Sequence, residues 1–426
     1  MSRTTLTKWI AVIALGVVTV WVYHPRYRNH DINVRGFESS ALARSIAEGR
    51  GFSDPFQTLP TGPSAHLAPL YPAYLALILT LFGNGPMAGD VLVWASLLTL
   101  AIQLMLFPTL AKHLGLGFWA GVVAAMAWIA AGIPPIFFGE STLVAVLVIC
   151  AALLMKRSLS GEMPGKQLLL SGVVWGALLL LQPVVIVVLA VWLLLLCFRS
   201  QNLRRQAIAL GALPLLIVAP WITRNFVVFH RPIFIRDNLG LELAVSNNPC
   251  ASPLFAVNDH DGCFASMHPN ENYDEALKVR EMGEAEYNRA RLGEAMAWIR
   301  ANPLQFAELS GQRFEAFWVP TRAANNNNGT IWRPAVLHLF TLLSIPGLFL
   351  MWRSARPGAY VVLLWLGLFP PIYYFIQYMD RYRYPIFWAT FLAGSYFIVE
   401  LVRGIAGMRE PRADTRDVDP LAAEKA

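Results

Sequence analysis

The chain has 426 residues, 56% hydrophobic and 14% charged, with a formal charge of +7. Soluble domains carry about 25% charged residues, so this composition excludes a water-soluble globule and predicts a chain that crosses a membrane many times. The positive charge is no nucleic-acid footprint: basic residues gather at the ends of apolar runs, where lipid phosphates and the inside-positive bias account for them.

Residues 8–24 form the first expected span, preceded by Arg3 and Lys8. Its apolar core runs into His24, Pro25 and Arg26 without a small-residue cleavage site, so it reads as an uncleaved helix with its N-terminus inside. The loop 25–66 is too polar for lipid. Within it, residues 37–49 have helix-forming composition and stop at Gly49. At about 100° per residue, Leu42, Ala43 and Ile46 share one face, Arg44 and Glu48 lie opposite, and Glu38 and Ser45 fall on the flank. Such a helix suits the membrane surface, with Glu38 at the water boundary. The run 66–82 carries Pro69 and Pro72 early. What remains before Gly83 is about 15 Å of helix, half a bilayer, so this segment is expected to re-enter or lie at the interface without crossing.

Further spans are expected at 87–111 and 116–133, then one ending at Met155 after Glu140. The apolar run 167–198 is about 48 Å as one helix, too long for one crossing, and Gln182-Pro183 divides it into two. The next span is 206–221. A polar segment follows, 222–333, irregular at first and helical in pattern over 283–317. Spans at 334–352, 358–376 and 386–402 complete about ten crossings. The tail from Arg403 lacks apolar periodicity and is expected to be disordered. Four parts result: a transmembrane module 1–221 with its outer loop 25–83, a loop domain 222–333, C-terminal spans 334–402 and a tail 403–426. Basic clusters at 156–157, 199–205, 353–356 and 403–409 then fall inside, which puts both termini in the cytoplasm and the long loops outside.

Two cysteines, Cys150 and Cys197, lie in apolar spans, where a free thiol behaves as a small hydrophobe. Cys250 and Cys263 lie in the loop domain; they can pair if it faces an oxidising compartment, or remain free thiols. The histidines show no pair at ligand spacing, so no metal cluster is expected. No phosphate-cradling glycine motif appears, which argues against a nucleotide sugar as direct donor. No cofactor is indicated.

The segments ESSALARSIAEGRGFSDPF (38–56) and TGPSAHLAPLYPAYLALILTLFG (61–83) resemble the first outer loop of bacterial membrane glycosyltransferases of the GT-C superfamily, such as protein O-mannosyltransferases and the lipid A aminoarabinose transferase. Later pieces agree in order and spacing: PWITRNFVVFHRPIFIRDNLGLEL (220–243), GEAEYNRARLGEAMAWIRANP (283–303) and DRYRYP (380–385). The resemblance implies an all-α integral membrane fold with interfacial helices and a mostly helical extracytoplasmic domain. It implies a plasma (inner) membrane enzyme that transfers a sugar with inversion. The partners it implies are a polyprenyl-phosphate sugar donor and a lipid, glycan or protein acceptor.

Such chemistry needs a base for the acceptor hydroxyl and cations for the leaving phosphate. Glu38 stands where similar proteins carry an acid; the bland alternative is a solvated helix glutamate. Asp31 is the substitute, since other members place an aspartate early in this loop; otherwise it is a turn residue beside Asn33. Arg381 and Arg383 are the candidate phosphate ligands, or interfacial anchors with Tyr382 and Tyr384. Arg224 has a similar position. Glu140 matches a second outer-loop acid and is a candidate acceptor-site group, or a helix-start cap. His66 reads as a packed loop residue. Gln182 departs from the pattern, where an arginine commonly precedes the proline. A transporter of lipid-linked sugars, or an inactive scaffold of the same fold, are the competing functions; the absence of an internal repeat and the outer-face position of the acids favour the enzyme.

Overall fold

The structure, a computed structural model, describes residues 3–27, 38–135, 140–159, 161–319, 332–356 and 358–407. Asp31, the Asn325–Asn328 run and most of the C-terminal tail lie outside those residues. In chain order the α-helices are α1 (Arg3–Tyr27), α2 (Glu38–Ala47), α3 (Leu70–Phe82), α4 (Pro86–His113), α5 (Phe118–Ala131), α6 (Glu140–Leu159), α7 (Gly165–Leu181), α8 (Ile186–Arg199) and α9 (Gln201–Phe229). The loop domain holds α10 (Leu239–Ser246), α11 (Phe255–His260), α12 (Cys263–Met267), α13 (Tyr273–Met282), α14 (Glu284–Ala301) and α15 (Pro303–Trp318). Last come α16 (Trp332–Arg353), α17 (Gly358–Leu368) and α18 (Phe387–Ile405). Among the described residues the extended pairings are two isolated bridges, Ser53 with Pro63 and Leu254 with Tyr378.

Among the described residues, six segments are long and apolar enough to cross a membrane: 4–25, 86–113, 140–159, 201–229, 332–353 and 380–405. The other four expected crossings are apolar but shorter helices, at 118–131, 165–181, 183–199 and 358–374. Large apolar side chains on the long helices point outward, Trp21 at 75% exposure and Leu216 at 69% among them, a distribution that water would penalise and lipid does not. Small residues let helices touch: a Cβ on Gly347 of α16 would lie 2.0 Å from the Ala393 carbonyl of α18, the close backbone approach that glycine permits in membrane packing.

The apolar run 167–198 breaks where proline chemistry says it must. Pro183 has no N–H and crowds the preceding residue out of helical geometry; Gln182 sits at φ −137°, ψ 82°, and a 3-10 turn at Pro183–Val185 starts the next helix. The span expected to end at Trp221 instead continues as helix to Phe229, through Pro214 and Pro220. Arg224 therefore sits on a helix, not in a loop.

The helix expected at 37–49 is α2, closed by Gly49 at φ 80°. Its cover differs from the amphipathic expectation. Ser40, Ala41, Leu42, Ala43 and Ser45 are all buried; α2 packs on α3, and its first residue, Glu38, faces His268 of the loop domain. Residues 51–68 are held from three directions. Thr58 Oγ1 donates to the Pro269 carbonyl (2.6 Å), Asp237 N–H to the Ala65 carbonyl (2.7 Å), and Ala65 N–H to Glu284 Oε1 (2.6 Å). Phe56 enters a small core with Leu241, Val245, Val279 and Tyr287 of the loop domain. The first loop is thus the seam between spans and loop domain.

Candidate active site

A cleft opens at that seam. Its lining comes from six stretches far apart in the chain: Glu38 and Ser39 at the start of α2; His66 and Leu67; Glu140, Ser141 and Val144 at the start of α6; Gln182 at the α7 break; Arg236, Asn238 and Glu242; and Tyr373, Ile376, Arg381, Tyr382 and Pro385. Four of the five charged groups are placed by a local feature. Glu38 and Glu140 occupy first turns of helices, where unpaired N–H groups favour a carboxylate. Glu242 lies in the first turn of α10, where the Asn238 side chain donates to Oε1 (3.3 Å). Arg381 is on a 3-10 turn, Asp380–Tyr382, leading into the last helix, and its guanidinium lies over the Tyr382 ring at 5.5 Å.

Three carboxylates therefore face two guanidiniums. Burial pushes the Glu38 carboxyl above the usual carboxylate range, against the pull of a hydrogen bond from its own backbone and the Arg381 charge; Glu242 and Glu140 add to the rise. Glu242 is raised in the same way by burial, with Arg236 and Arg381 opposing. Carboxyls raised by burial and set beside cations are suited to taking a proton during a reaction.

The sequence candidates divide. Glu38, Glu140 and Arg381 meet in this cleft, and Gln182 lines it, donating from Nε2 to the Tyr373 hydroxyl. Arg383 is not in it. Its guanidinium donates to the carbonyls of Phe317 (3.1 Å) and Trp318 (2.7 Å) and to Thr341 Oγ1 (2.6 Å), and it is 1% exposed. Arg224 also stays outside, donating to the carbonyls of Ser64 (2.7 Å) and Phe52 (2.9 Å) and stacking on Trp221. Cys250 and Cys263 are joined as a disulfide, with Cα atoms 5.9 Å apart. Arg236, Glu242, Tyr373 and Tyr382 were not singled out from sequence. Arg236 and Glu242 lie in the IRDNLGLEL stretch, and its charges among apolar residues were the available signal.

The fold also gathers donors that sequence spacing kept apart. Glu38, His66 and His268 each bring one ligand atom to within 4.8 Å of the others. His268 Nε2 is 3.8 Å from Glu38 Oε1. Burial pushes His268 down to about 3, and burial with the neighbouring His268 and Arg236 holds His66 well below its usual value, so both rings are neutral at ordinary pH.

No family model and no curated relative matches this chain. Solved structures do. Three structures of the archaeal oligosaccharyltransferase AglB from Archaeoglobus fulgidus superpose on nearly all of it. The complex with an inhibitory peptide and a dolichol-phosphate gives a TM-score of 0.52 at 12% identity, covering 97% of this chain and 53% of that one. The complex with zinc and sulfate gives 0.53 at 13% identity, covering 97% and 51%. The form tethered to an acceptor peptide containing an NVT sequon gives 0.55 at 15% identity, covering 98% and 53%. This chain spans about half the length of those proteins. The match over nearly the whole chain, with six long apolar helices among the described residues, shows that the chain shares the fold of these membrane proteins, the GT-C fold.

Proposed function

We propose that the chain is an inverting glycosyltransferase that moves a sugar from a polyprenyl-phosphate carrier to a hydroxyl acceptor at the outer face of the plasma membrane. The observation that carries this reading is the meeting of Glu38, Glu140 and Arg381 with Arg236 and Glu242 in one cleft at the junction of spans and loop domain. The dolichol-phosphate and acceptor peptide bound by the archaeal enzyme of the same fold support a lipid-phosphate carrier and a separate acceptor.

The chemistry follows from the groups present. The acceptor oxygen attacks the anomeric carbon from the face opposite the phosphate. Its O–C bond forms as the bond from that carbon to the phosphate oxygen breaks, and the configuration inverts. Glu38 takes the hydroxyl proton, and Glu140 orients the acceptor. Arg381 and Arg236 stabilise the second negative charge that develops on the leaving polyprenyl phosphate. Gln182 and the tyrosines complete the wall around the sugar.

Purified protein in bilayer discs, given a labelled polyprenyl-phosphate sugar and a panel of hydroxyl acceptors, is expected to transfer label to one acceptor class. Glu38→Gln is expected to slow that transfer by about 10²–10⁴-fold, the usual worth of a general base. Translocation of the donor across the disc or vesicle without covalent transfer would replace the enzyme by a transporter.

A further inference from the structure

We propose that α15, the last helix of the loop domain, lies along the membrane surface with one edge seated among the lipids of the leaflet beneath that domain. At about 100° per residue its 16 residues divide into three faces. Leu309, Arg313, Ala316 and Phe317 are buried against the protein. Gln305, Glu308, Gln312 and Glu315 make an exposed polar edge, on which the Gln312 side chain donates to Glu308 Oε1 (3.2 Å). Leu304, Ala307, Gly311 and Phe314 make an exposed apolar edge that ends at the half-buried Trp318. Leu304 is 85% exposed and Phe314 52%, a arrangement that water penalises and lipid does not.

The length of the apolar edge decides the orientation. A helix standing off the membrane would be apolar at its near end and polar all round at its far end. In α15 the division holds from Leu304 to Trp318, about 21 Å, the pattern of a helix in the plane of an interface. Ring contacts set the helix across the end of an apolar segment. Phe306 stacks on Phe375 (5.9 Å), Phe314 and Phe317 meet Tyr374 (5.1 and 5.8 Å), and Trp318 Nε1 donates to the Tyr374 hydroxyl (2.9 Å). Tyr374 ends the apolar segment 358–374, and Phe375 beside it is 40% exposed. The edge therefore meets the lipid-facing surface of the spans, and the seam is built from tryptophan and tyrosine, residues that favour the headgroup level.

Charge narrows the lipid chemistry. The exposed charges of α15 are acidic, Glu308 and Glu315, and its one basic residue, Arg313, turns inward to Asn247 Oδ1 and the Phe375 carbonyl. Insertion therefore rests on apolar burial and not on attraction to anionic headgroups, so a zwitterionic bilayer suffices. The seat also reaches the cleft. Arg383 donates to the carbonyls of Phe317 and Trp318 in the last turn of α15, and Arg381 lies two residues before it in the chain. Seating α15 sets the height of the Arg381 turn over the leaflet, a consequence that rests on the transferase reading; the seating itself does not.

The test uses the full chain in phosphatidylcholine discs, with Cys150→Ala and Cys197→Ala as background and a nitroxide on single cysteines placed along the two exposed edges. The ratio of relaxation by oxygen to relaxation by a water-soluble nickel chelate is expected to rise and fall with the helical period of about 3.6 residues. It should peak at 304, 307, 311 and 314, reach its minima at 305, 308, 312 and 315, and stay unchanged when anionic phosphatidylglycerol is added. Nickel access along both edges would put the helix in water. Loss of both reagents at 304 and 314 would mean that protein, a partner or a second copy, covers the edge. Either result, or a pattern that appears only with anionic lipid, would overturn the proposal. If a labelled variant misfolds, the wild-type chain is crosslinked to a phosphatidylcholine with a diazirine near the start of its acyl chain. Adducts on Leu304 or Phe314 are expected, and adducts confined to the spans would overturn the seat. Neither readout depends on glycosyl transfer, so failure of the seat and failure of the transferase reading are separable.

Discussion

Arg381 and Arg383 are two residues apart and belong to different parts of the molecule. Arg381 faces three carboxylates across the cleft, while Arg383 is sunk behind it on the carbonyls of Phe317 and Trp318. Arg313 repeats the second pattern: fully buried, it donates to Asn247 Oδ1 (3.0 Å), the Phe375 carbonyl (3.1 Å) and the Ser246 carbonyl. Arg224 is a half-buried version on Ser64 and Phe52. A guanidinium spent on backbone carbonyls fixes a frame, because each acceptor it leaves behind would be buried and unpaired. One placed among carboxylates in a solvent-reaching cleft can exchange those partners for a substrate phosphate.

The largest effect should separate the two regions by function. Glu38→Gln is expected to cost about 10²–10⁴-fold in transfer with no change in unfolding temperature, because glutamine matches the size of the side chain it replaces. A frame variant should do the reverse. Arg313→Ala removes a donor from the Ser246 and Phe375 carbonyls and from Asn247 Oδ1 and is expected to lose about 3 kcal/mol or more of stability, read as a lower unfolding temperature and poor yield. Arg381→Ala sharpens the contrast with Arg383→Ala: the first weakens donor binding in a folded protein, the second lowers stability first.

Opening the Cys250–Cys263 bridge is next in size. A loop of this length is worth about 3 kcal/mol, so Cys250→Ser should lower the unfolding temperature and raise hydrogen exchange around α12 and His268 while the spans stay protected.

A further effect concerns pH. Glu284 anchors the first loop through Ala65 N–H, and burial raises its carboxyl to about 8 from 4.5, with hydrogen bonds from Ser64 and Ala65 opposing. Between those values the folded chain keeps a proton that the unfolded chain releases, so stability falls as pH rises from about 5 to about 8. Glu284→Gln carries the neutral group permanently and should flatten that slope in thermal melts.

The same contrast explains what was legible in sequence. Local rules wrote the frame's breaks: Gln182-Pro183 splits the long apolar run, and Gly49 closes α2. Helix-start acids and a motif order placed Glu38 and Glu140, and the DRYRYP stretch supplied Arg381. What local rules could not show is partnership. His268 lies 230 residues after Glu38 in the chain (268 − 38) yet 3.8 Å away in space. Likewise nothing in DRYRYP says that one arginine turns to the cleft and the other to carbonyls, because that choice is made by α15 and α16, which supply Phe317, Trp318 and Thr341. The extent of α9 was misjudged because Pro214 and Pro220 lie inside the helix without ending it, which membrane-spanning helices tolerate.

The most direct measurement is the structure of the protein with a polyprenyl-phosphate sugar bound in a lipid disc. The account predicts the phosphate within hydrogen-bonding distance of Arg381 or Arg236, with the anomeric carbon turned toward Glu38. A phosphate seated elsewhere, such as on Arg224, with the cleft empty, would contradict it.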